Sequence, residues 1–335
     1  MTGEPGLKFK QSLFLAPMAG VNDPVFRAIC KRLGADLTYT EMISAAGLCY
    51  GGEKGQRRLY ALDDEKPVAV QLFGKDPALV AEAARMVEGL FGGSLVLIDL
   101  NMGCPVRKVA GKGEGAALMC QPRLAEQIIS AVVRVVRLPV TVKFRRGWQE
   151  GQENAVEFAC RAEAAGAAAL AVHGRFAVQM YQGFADKSVV ARVKAAVKVP
   201  VAASGDVYGA LDIAEYFDSH GADAVMVARG AAGNPWIFRG RQPTLAERLA
   251  VAREHTQRLY KLEPHLLASM RKHLAWYFKG LPGAAAVRRA VNECRSIDEY
   301  LRLLDEIAAS GSGYGNDSRE SGGKMTMATP WRLGA

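Results

Sequence analysis

Short apolar runs recur along the first two-thirds of the chain. Each closes on a polar or glycine-bearing turn, and stretches of helical periodicity lie between them. Leu13-Phe14-Leu15-Ala16 predicts a first strand ending in Pro17-Met18-Ala19-Gly20. Asp23-Pro24 predicts a helix start, with Asp as the cap and Pro in the first turn, and Gly34 predicts its stop. The same pattern predicts strands at 36–40, 67–72, 95–100, 139–144, 168–172, 200–203 and 223–227. Helices are predicted at 76–91, 122–137, 153–166 and 209–220, with another before Val199. Continuous rather than alternating apolar runs belong to strands buried on both faces, as in parallel sheets. Eight such strands alternating with helices over about 240 residues predict an α/β fold, a (β/α)8 TIM barrel. A doubly wound open sheet is the alternative. It would want a GxGxxG turn after the first strand, and Ala16-Pro17-Met18-Ala19-Gly20 is not one.

The polar residues of interest collect at the ends of these runs. Met18, Gln71, Asn101, Cys104, Lys143, His173, Ser204-Gly205-Asp206 and Arg229-Gly230 each close or follow a predicted strand. A barrel brings the C-terminal ends of all its strands to one face, so residues far apart in sequence converge on one pocket. The fourth run carries the most specific signal, leading from Leu95 into Asn101-Met102-Gly103-Cys104-Pro105. Gly103 frees the backbone and Pro105 fixes it, which holds a thiol at the mouth of a strand. The turns after the last two strands, Ser204-Gly205-Asp206 and Ala228-Arg229-Gly230, offer close backbone N–H groups where barrels seat phosphate. Lys143 on a strand facing into a barrel needs a partner, either an anionic ligand or a carboxylate such as Asp99 or Glu41. His173 stands without clustered metal ligands around it, so the expectation is no metal.

Two charged, glycine-bearing segments interrupt the pattern. Residues 47–64, with Lys54, Arg57 and Arg58, read as a long surface loop with some helix. Residues 106–115, with Arg107, Lys108 and Lys112, form a basic glycine-rich loop just after Cys104. From Pro243 the periodicity becomes purely helical, over 245–262, 266–278, 284–292 and 296–308, and Thr244 with Glu247 forms a capping-box pattern. The expected division is a barrel over 1–242, a helical bundle over 243–309 and a Gly/Ser-rich disordered tail over 310–335. Within the bundle Arg271, Lys272, Lys279, Arg288, Arg289 and Arg295 face a single acid, Glu293, and interleave with Trp276 and Tyr277.

Composition adds bounds rather than chemistry. The chain has 335 residues and a formal charge of +9, which suits a polyanionic partner. No apolar run reaches the ~20 residues of a membrane span, and the N-terminus lacks the pattern of a secretory signal. Six scattered cysteines without a CxxC pair predict neither zinc nor disulfides and fit a reducing cytoplasm. Nothing in the pattern demands more than a monomer.

The stretches Ala16-Pro17-Met18-Ala19-Gly20, Asp99-Leu100-Asn101-Met102-Gly103-Cys104-Pro105, Val142-Lys143-Phe144-Arg145, Val172-His173-Gly174-Arg175 and Gly233-Asn234-Pro235-Trp236-Ile237-Phe238 resemble the tRNA-dihydrouridine synthases. Arg271-Lys272-His273-Leu274-Ala275-Trp276-Tyr277 matches as well, and the likeness is nearest to the bacterial B-type branch. The resemblance covers about residues 10 to 308. It implies an FMN enzyme, re-reduced by NADPH or NADH, that reduces the C5–C6 double bond of uridines in tRNA. It implies that Pro17, Met18 and Ala19 line the flavin, and that Gln71, Lys143 and His173 contact its ring or ribityl chain. Ser204, Gly205, Asp206, Ala228, Arg229 and Gly230 would hold the ribityl and phosphate end. Cys104 would be the acid, Asn101 would touch the uracil, and Lys108, Arg145, Arg175, Arg271, Lys272 and Arg288 would contact the RNA. Ser204 departs from the Asn that the family usually carries there. A thiol titrating near ~8.5 is protonated at neutral pH and can serve as an acid. Lys108 or Arg145 close by would lower that value. A stacked uridine must also be flipped out, at a cost of about a few kcal/mol. A flavin barrel reducing a small enone or pyrimidine is the competing reading, and a non-catalytic RNA-binding barrel is a third.

Overall fold

The computed structural model of the protein describes residues 9–51 and 62–310. Its first unit is a closed barrel of parallel strands in sequential order: β1 (Ser12–Leu15), β2 (Leu37–Ser44), β3 (Val68–Phe73), β4 (Leu95–Met102), β5 (Val140–Gly147), β6 (Ala169–Phe176), β7 (Val201–Ser204) and β8 (Ala224–Val227). β8 pairs with β1 to close the ring. The expected (β/α)8 architecture is therefore the observed one, and no open sheet exists among the described residues. Helices start where side chains satisfy their first N–H groups. Asp23 accepts from the Phe26 amide at 2.9 Å, and Asp76 accepts from Ala78 and Leu79 at 2.9 and 3.0 Å.

The period of two in a strand decides what the bore contains. At the lower end, Phe14, Leu37, Tyr39, Ala69, Leu97, Ala169, Ala171, Ala202, Ala224 and Met226 pack into one buried cluster. Two residues further along β3 and β4 come Gln71 and Asp99, with Thr141 of β5 in register with Asp99, and then Asn101, Lys143, His173 and Ser204. The register pairs Gln71 with Asp99, Asp99 with Thr141, Asn101 with Lys143, and His173 with Ser204. An apolar plug thus passes into rows of polar side chains toward the C-terminal mouth.

Several strands run further than their apolar runs. β4 continues through Asn101 and Met102, β5 through Arg145 and Gly147, and β6 through His173 to Phe176. Residues placed just past a strand by the sequence therefore lie inside the ladder. The loop after Cys104 holds a short helix, Arg107–Ala110, and a 3-10 segment, Gly115–Cys120. Pro235–Arg239 is also 3-10, and the segment at 47–64 opens as the helix Ala45–Tyr50. Lys54, Arg57 and Arg58 lie outside the described residues, as does the tail beyond Ser310.

The first unit runs to Ala231 and includes Trp236–Gly240; the second takes Ala232–Pro235 and the chain from Arg241. The second unit contains helices Leu245–Leu262, Met270–Tyr277, Ala284–Glu293 and Ile297–Ala309, and a 3-10 segment, Pro264–Ser269. The expected capping box is present: Thr244 Oγ1 accepts from the Glu247 amide at 3.2 Å, and Glu247 accepts from the Thr244 amide at 2.8 Å. Leu259, Leu274, Tyr277, Val291, Tyr300 and Leu304 form buried positions of this unit. Among the described residues no helix is long and apolar enough to cross a membrane.

Candidate active site

A chain of amide contacts links β3, β4 and β5 across the bore. Asp99, wholly buried, accepts from Thr141 Oγ1 at 2.5 Å and from Gln71 Nε2 at 2.6 Å. Gln71 Oε1 in turn accepts from Asn101 Nδ2 at 2.8 Å. Asn101 Oδ1 accepts from the backbone amides of Gly103 and Cys104 at 3.2 and 2.9 Å. That last pair bends the chain directly after β4 and presents the thiol. From the far side, Arg145 Nε donates to the Gly103 carbonyl at 2.9 Å. The glycine-rich loop returns to the same point. Ala116 N donates to the Cys104 carbonyl at 2.9 Å, and Gly115, at φ +59°, leaves no room for a side chain. A Cβ there would sit 2.7 Å from that carbonyl oxygen. The glycines of 106–115 thus serve in part to bring the loop back onto Cys104.

The electrostatics of the thiol differ from the simplest expectation. Burial pushes Cys104 above its ordinary value, outweighing the Val106 amide and the positive charges of Arg145 and Lys143. The thiol is therefore protonated at neutral pH. Lys108, expected to act on it, is exposed on the short helix and is not among the groups that shift it.

Lys143 stands one register row above Thr141, partly exposed at the mouth. Burial, then Arg145, lowers it to about 8, against the pull of Asp99 and Cys104. Among the described residues its ammonium has no hydrogen bond or ion pair, and Asp99 is spent on Gln71 and Thr141 instead. The carboxylate pairing open from the sequence is absent. An ammonium without a partner at the mouth of a barrel is chemically suited to an anionic or electron-rich ligand edge.

His173 lies beside it on β6. Burial depresses its pKa most, followed by Arg145, Lys143, Arg175 and Arg229, so the ring is neutral. Arg175 is 2% exposed and forms a two-pronged pair with Asp206, each N–O distance being 2.8 Å. It also donates to the carbonyls of Gln182 and Gly183. Asp206, at φ +48°, further accepts from Arg229 at 3.1 Å and from the Ala185 amide at 2.7 Å. Tyr216 pins the turn by donating to the Gly205 carbonyl at 2.6 Å. Gly205, at φ +111°, is required: a Cβ would stand 2.6 Å from His173 Cδ2.

Two of the predicted residues are placed away from solvent. Arg145 and Arg175 were expected to contact a substrate, yet both are 2% exposed. Arg145 gives its donors to the carbonyls of Gly103, Phe176 and Met180, so it ties loops together rather than reaching outward. Sequence reasoning offered Asp99 only as a partner for Lys143, not for Gln71 and Thr141, and missed Thr141 and Tyr181. The Tyr181 ring sits between Arg145 and Arg229, whose guanidinium carbons lie 5.7 and 5.1 Å from its centroid. A lone Asp inside an apolar run was the available signal for Asp99.

The remaining predicted positions of the first unit lie at or just after strand ends. The Met18 carbonyl accepts from Val21 and Asn22, and Asn22 Nδ2 bridges the carbonyls of Ala16 and Tyr39, which fixes the turn at Pro17, Met18 and Ala19. Ser204 is buried at the tip of β7, and Ala228, Arg229 and Gly230 follow β8. In the second unit Arg288, Arg289, Arg295 and Lys279 are exposed. Arg271 and Lys272 are half-buried, and Arg271 reaches back to the Cys294 carbonyl at 3.4 Å. Tyr277 is fully buried, with its hydroxyl 2.9 Å from His255 Nδ1, so it takes no part in an exposed basic surface.

Comparison with known proteins agrees with the barrel. The family model "Dihydrouridine synthase (Dus)" matches residues 14–311. The chain is 40% identical to tRNA-dihydrouridine synthase B of Pseudomonas aeruginosa and 39% identical to a probable tRNA-dihydrouridine synthase of Rickettsia conorii. Each alignment covers 90% of this chain and 94% of the relative. Histamine dehydrogenase from Rhizobium sp. 4-9 shares the fold at a TM-score of 0.52 and 12% identity, over 88% of this chain and 50% of that one. With the family model spanning almost all of both units and relatives matching nearly end to end, the chain belongs to the dihydrouridine synthase family.

Proposed function

We propose that the protein reduces uridine to 5,6-dihydrouridine in tRNA, with FMN held at the mouth of the barrel and NAD(P)H as the source of electrons. The observation that carries the reading is the protonated thiol of Cys104 at the barrel mouth, together with the ammonium of Lys143, unpaired among the described residues, and the neutral imidazole of His173. The charges at the mouth suit a flavin phosphate. Lys143, Arg145, Arg175 and Arg229 converge near His173, and the paired counter-charge is Asp206, which faces two of them.

In this reading Gln71, Lys143 and His173 hold the ring and ribityl chain. Pro17, Met18 and Ala19 line one side, and the turns at Ser204–Asp206 and Ala228–Gly230 take the phosphate end. When bound and reduced, FMN supplies the electron pair for one carbon of the C5–C6 bond, and NAD(P)H restores it. Cys104 supplies the proton for the other carbon. Its raised pKa keeps the proton on sulfur until a developing carbanion takes it. Asn101 has its amide committed on both sides, so it presents a fixed edge at the base. In this reading Lys108, exposed beside the thiol loop, contacts the RNA near the flipped nucleotide, and the second unit's own exposed Arg288 binds tRNA backbone. Exposed Phe184 and Tyr208 on the loops after β6 and β7 offer faces on which bases stack.

The test is reconstitution with FMN, NADPH and unmodified tRNA, followed by nucleoside mass spectrometry. Dihydrouridine in tRNA is the expected product. A protein that stays colourless with FMN, or that reduces free enones and ignores tRNA, overturns the reading.

A further inference from the structure

The bore contains a buried carboxylate, Asp99, that the proposed chemistry does not use. It lies two amides away from the thiol turn, and the four hydrogen bonds between Asp99, Gln71, Asn101 and the amides of Gly103 and Cys104 run in one direction. We infer that Asp99 is a positioning residue that sets the polarity of the Gln71–Asn101 relay and through it holds the Cys104 turn.

The argument is one of donors and acceptors. An ionised carboxylate only accepts, so Gln71 must turn its NH2 to Asp99 and its oxygen to Asn101. Asn101 must then donate to Gln71 and turn its own oxygen to the turn. The amides of Gly103 and Cys104 only donate, so they demand that same orientation. Both ends of the relay therefore agree. Asp99 is buried beside Gln71 and Thr141, with Tyr39 and Lys143 the other ionisable groups acting on it or acted on by it. At neutral pH it is ionised, being raised only to about 6. A neutral amide at position 99 could donate instead, and reversing Gln71 would reverse Asn101 and set its NH2 against the amide of Cys104. A hydroxyl can rescue such an amide by accepting from it, and Thr141 stands at 2.5 Å to do so. The decisive change therefore combines Asp99→Asn with Thr141→Val.

The inference rests on Cys104 as the acid, but its readout needs neither flavin nor RNA, so either can fail while the other stands. The measurement is hydrogen exchange by mass spectrometry on the flavin-free chain, resolved at Gly103 and Cys104. Thr141→Val alone retains wild-type protection. Asp99→Asn/Thr141→Val speeds exchange of these amides about tenfold or more, while helices remote from the bore are unchanged. Adding Gln71→Glu places the obligate acceptor one step along, restores the order of donors, and returns protection. A purely structural role for Asp99 predicts no such rescue. Unchanged exchange in the double variant, or fast exchange in the triple variant, overturns the inference. If the double variant does not fold, the triple variant decides alone: wild-type protection supports the relay and its loss refutes it.

Discussion

Lys143→Met isolates the tension between holding a ligand and folding without one. Burial and Arg145 lower Lys143 to about 8 from the ordinary 10.5. A base whose pKa is depressed by folding binds its proton less tightly in the native state, so the charged ammonium destabilises the fold at neutral pH. That penalty fades as pH rises from about 8 toward 10.5. The gap corresponds to about 3 kcal/mol. Halved for the solvent that reaches the side chain, it is about 1.5 kcal/mol. Methionine fills the same stem volume without the charge, so the flavin-free variant is expected to melt about 3–6 °C higher at neutral pH. Its advantage should vanish near pH ~10, and its affinity for FMN should fall about tenfold or more for want of the cation. Thermal denaturation at the two pH values and a flavin fluorescence titration read both effects. No gain in stability at neutral pH, or a gain that persists unchanged in alkali, refutes the reasoning.

Gly205→Ala combines a positive φ, which strains any side chain by about 1–3 kcal/mol, with a Cβ 2.6 Å from the His173 ring. A melting temperature lower by about 5 °C or more and weaker FMN uptake are expected, and a wild-type melt contradicts the cradle. Cys104→Ala should lower dihydrouridine formation by about 10²–10⁴-fold, measured by nucleoside mass spectrometry, with flavin uptake within about twofold of wild type. Full turnover removes Cys104 from its role. Asp206→Ala leaves the buried Arg175 without its counter-charge. Urea denaturation should show a loss of about 3–5 kcal/mol, and a loss well below that range shows the pair to be dispensable.

The alternation of apolar runs and helices was legible because parallel strands buried on both faces need continuous hydrophobic segments, and eight of them were present. Their ends were less legible. Asn101, Arg145 and His173 are polar, which reads as the end of a strand, yet at the mouth of a barrel the inward positions are polar while the backbone ladder continues. The convergence of Gln71, Asn101, Lys143 and His173 followed from topology alone. The inward turn of Arg145 and Arg175 did not. Their acceptors, Gly103, Met180 and Asp206, lie on other strands and loops, and an arginine carries no local mark of such a destination. Ser204 departs from the Asn that the family usually carries, and it is buried at the tip of β7. The thiol's upward shift was also out of reach, since it depends on how completely the returning loop covers it.

The barrel is stoppered below by Phe14, Tyr39, Leu97 and Met226 with a ring of alanines between them. A vessel with one doorway admits one visitor at a time. Under the proposed function, the nicotinamide that delivers electrons must withdraw before the nucleotide can enter, so the two half-reactions take turns at a shared threshold.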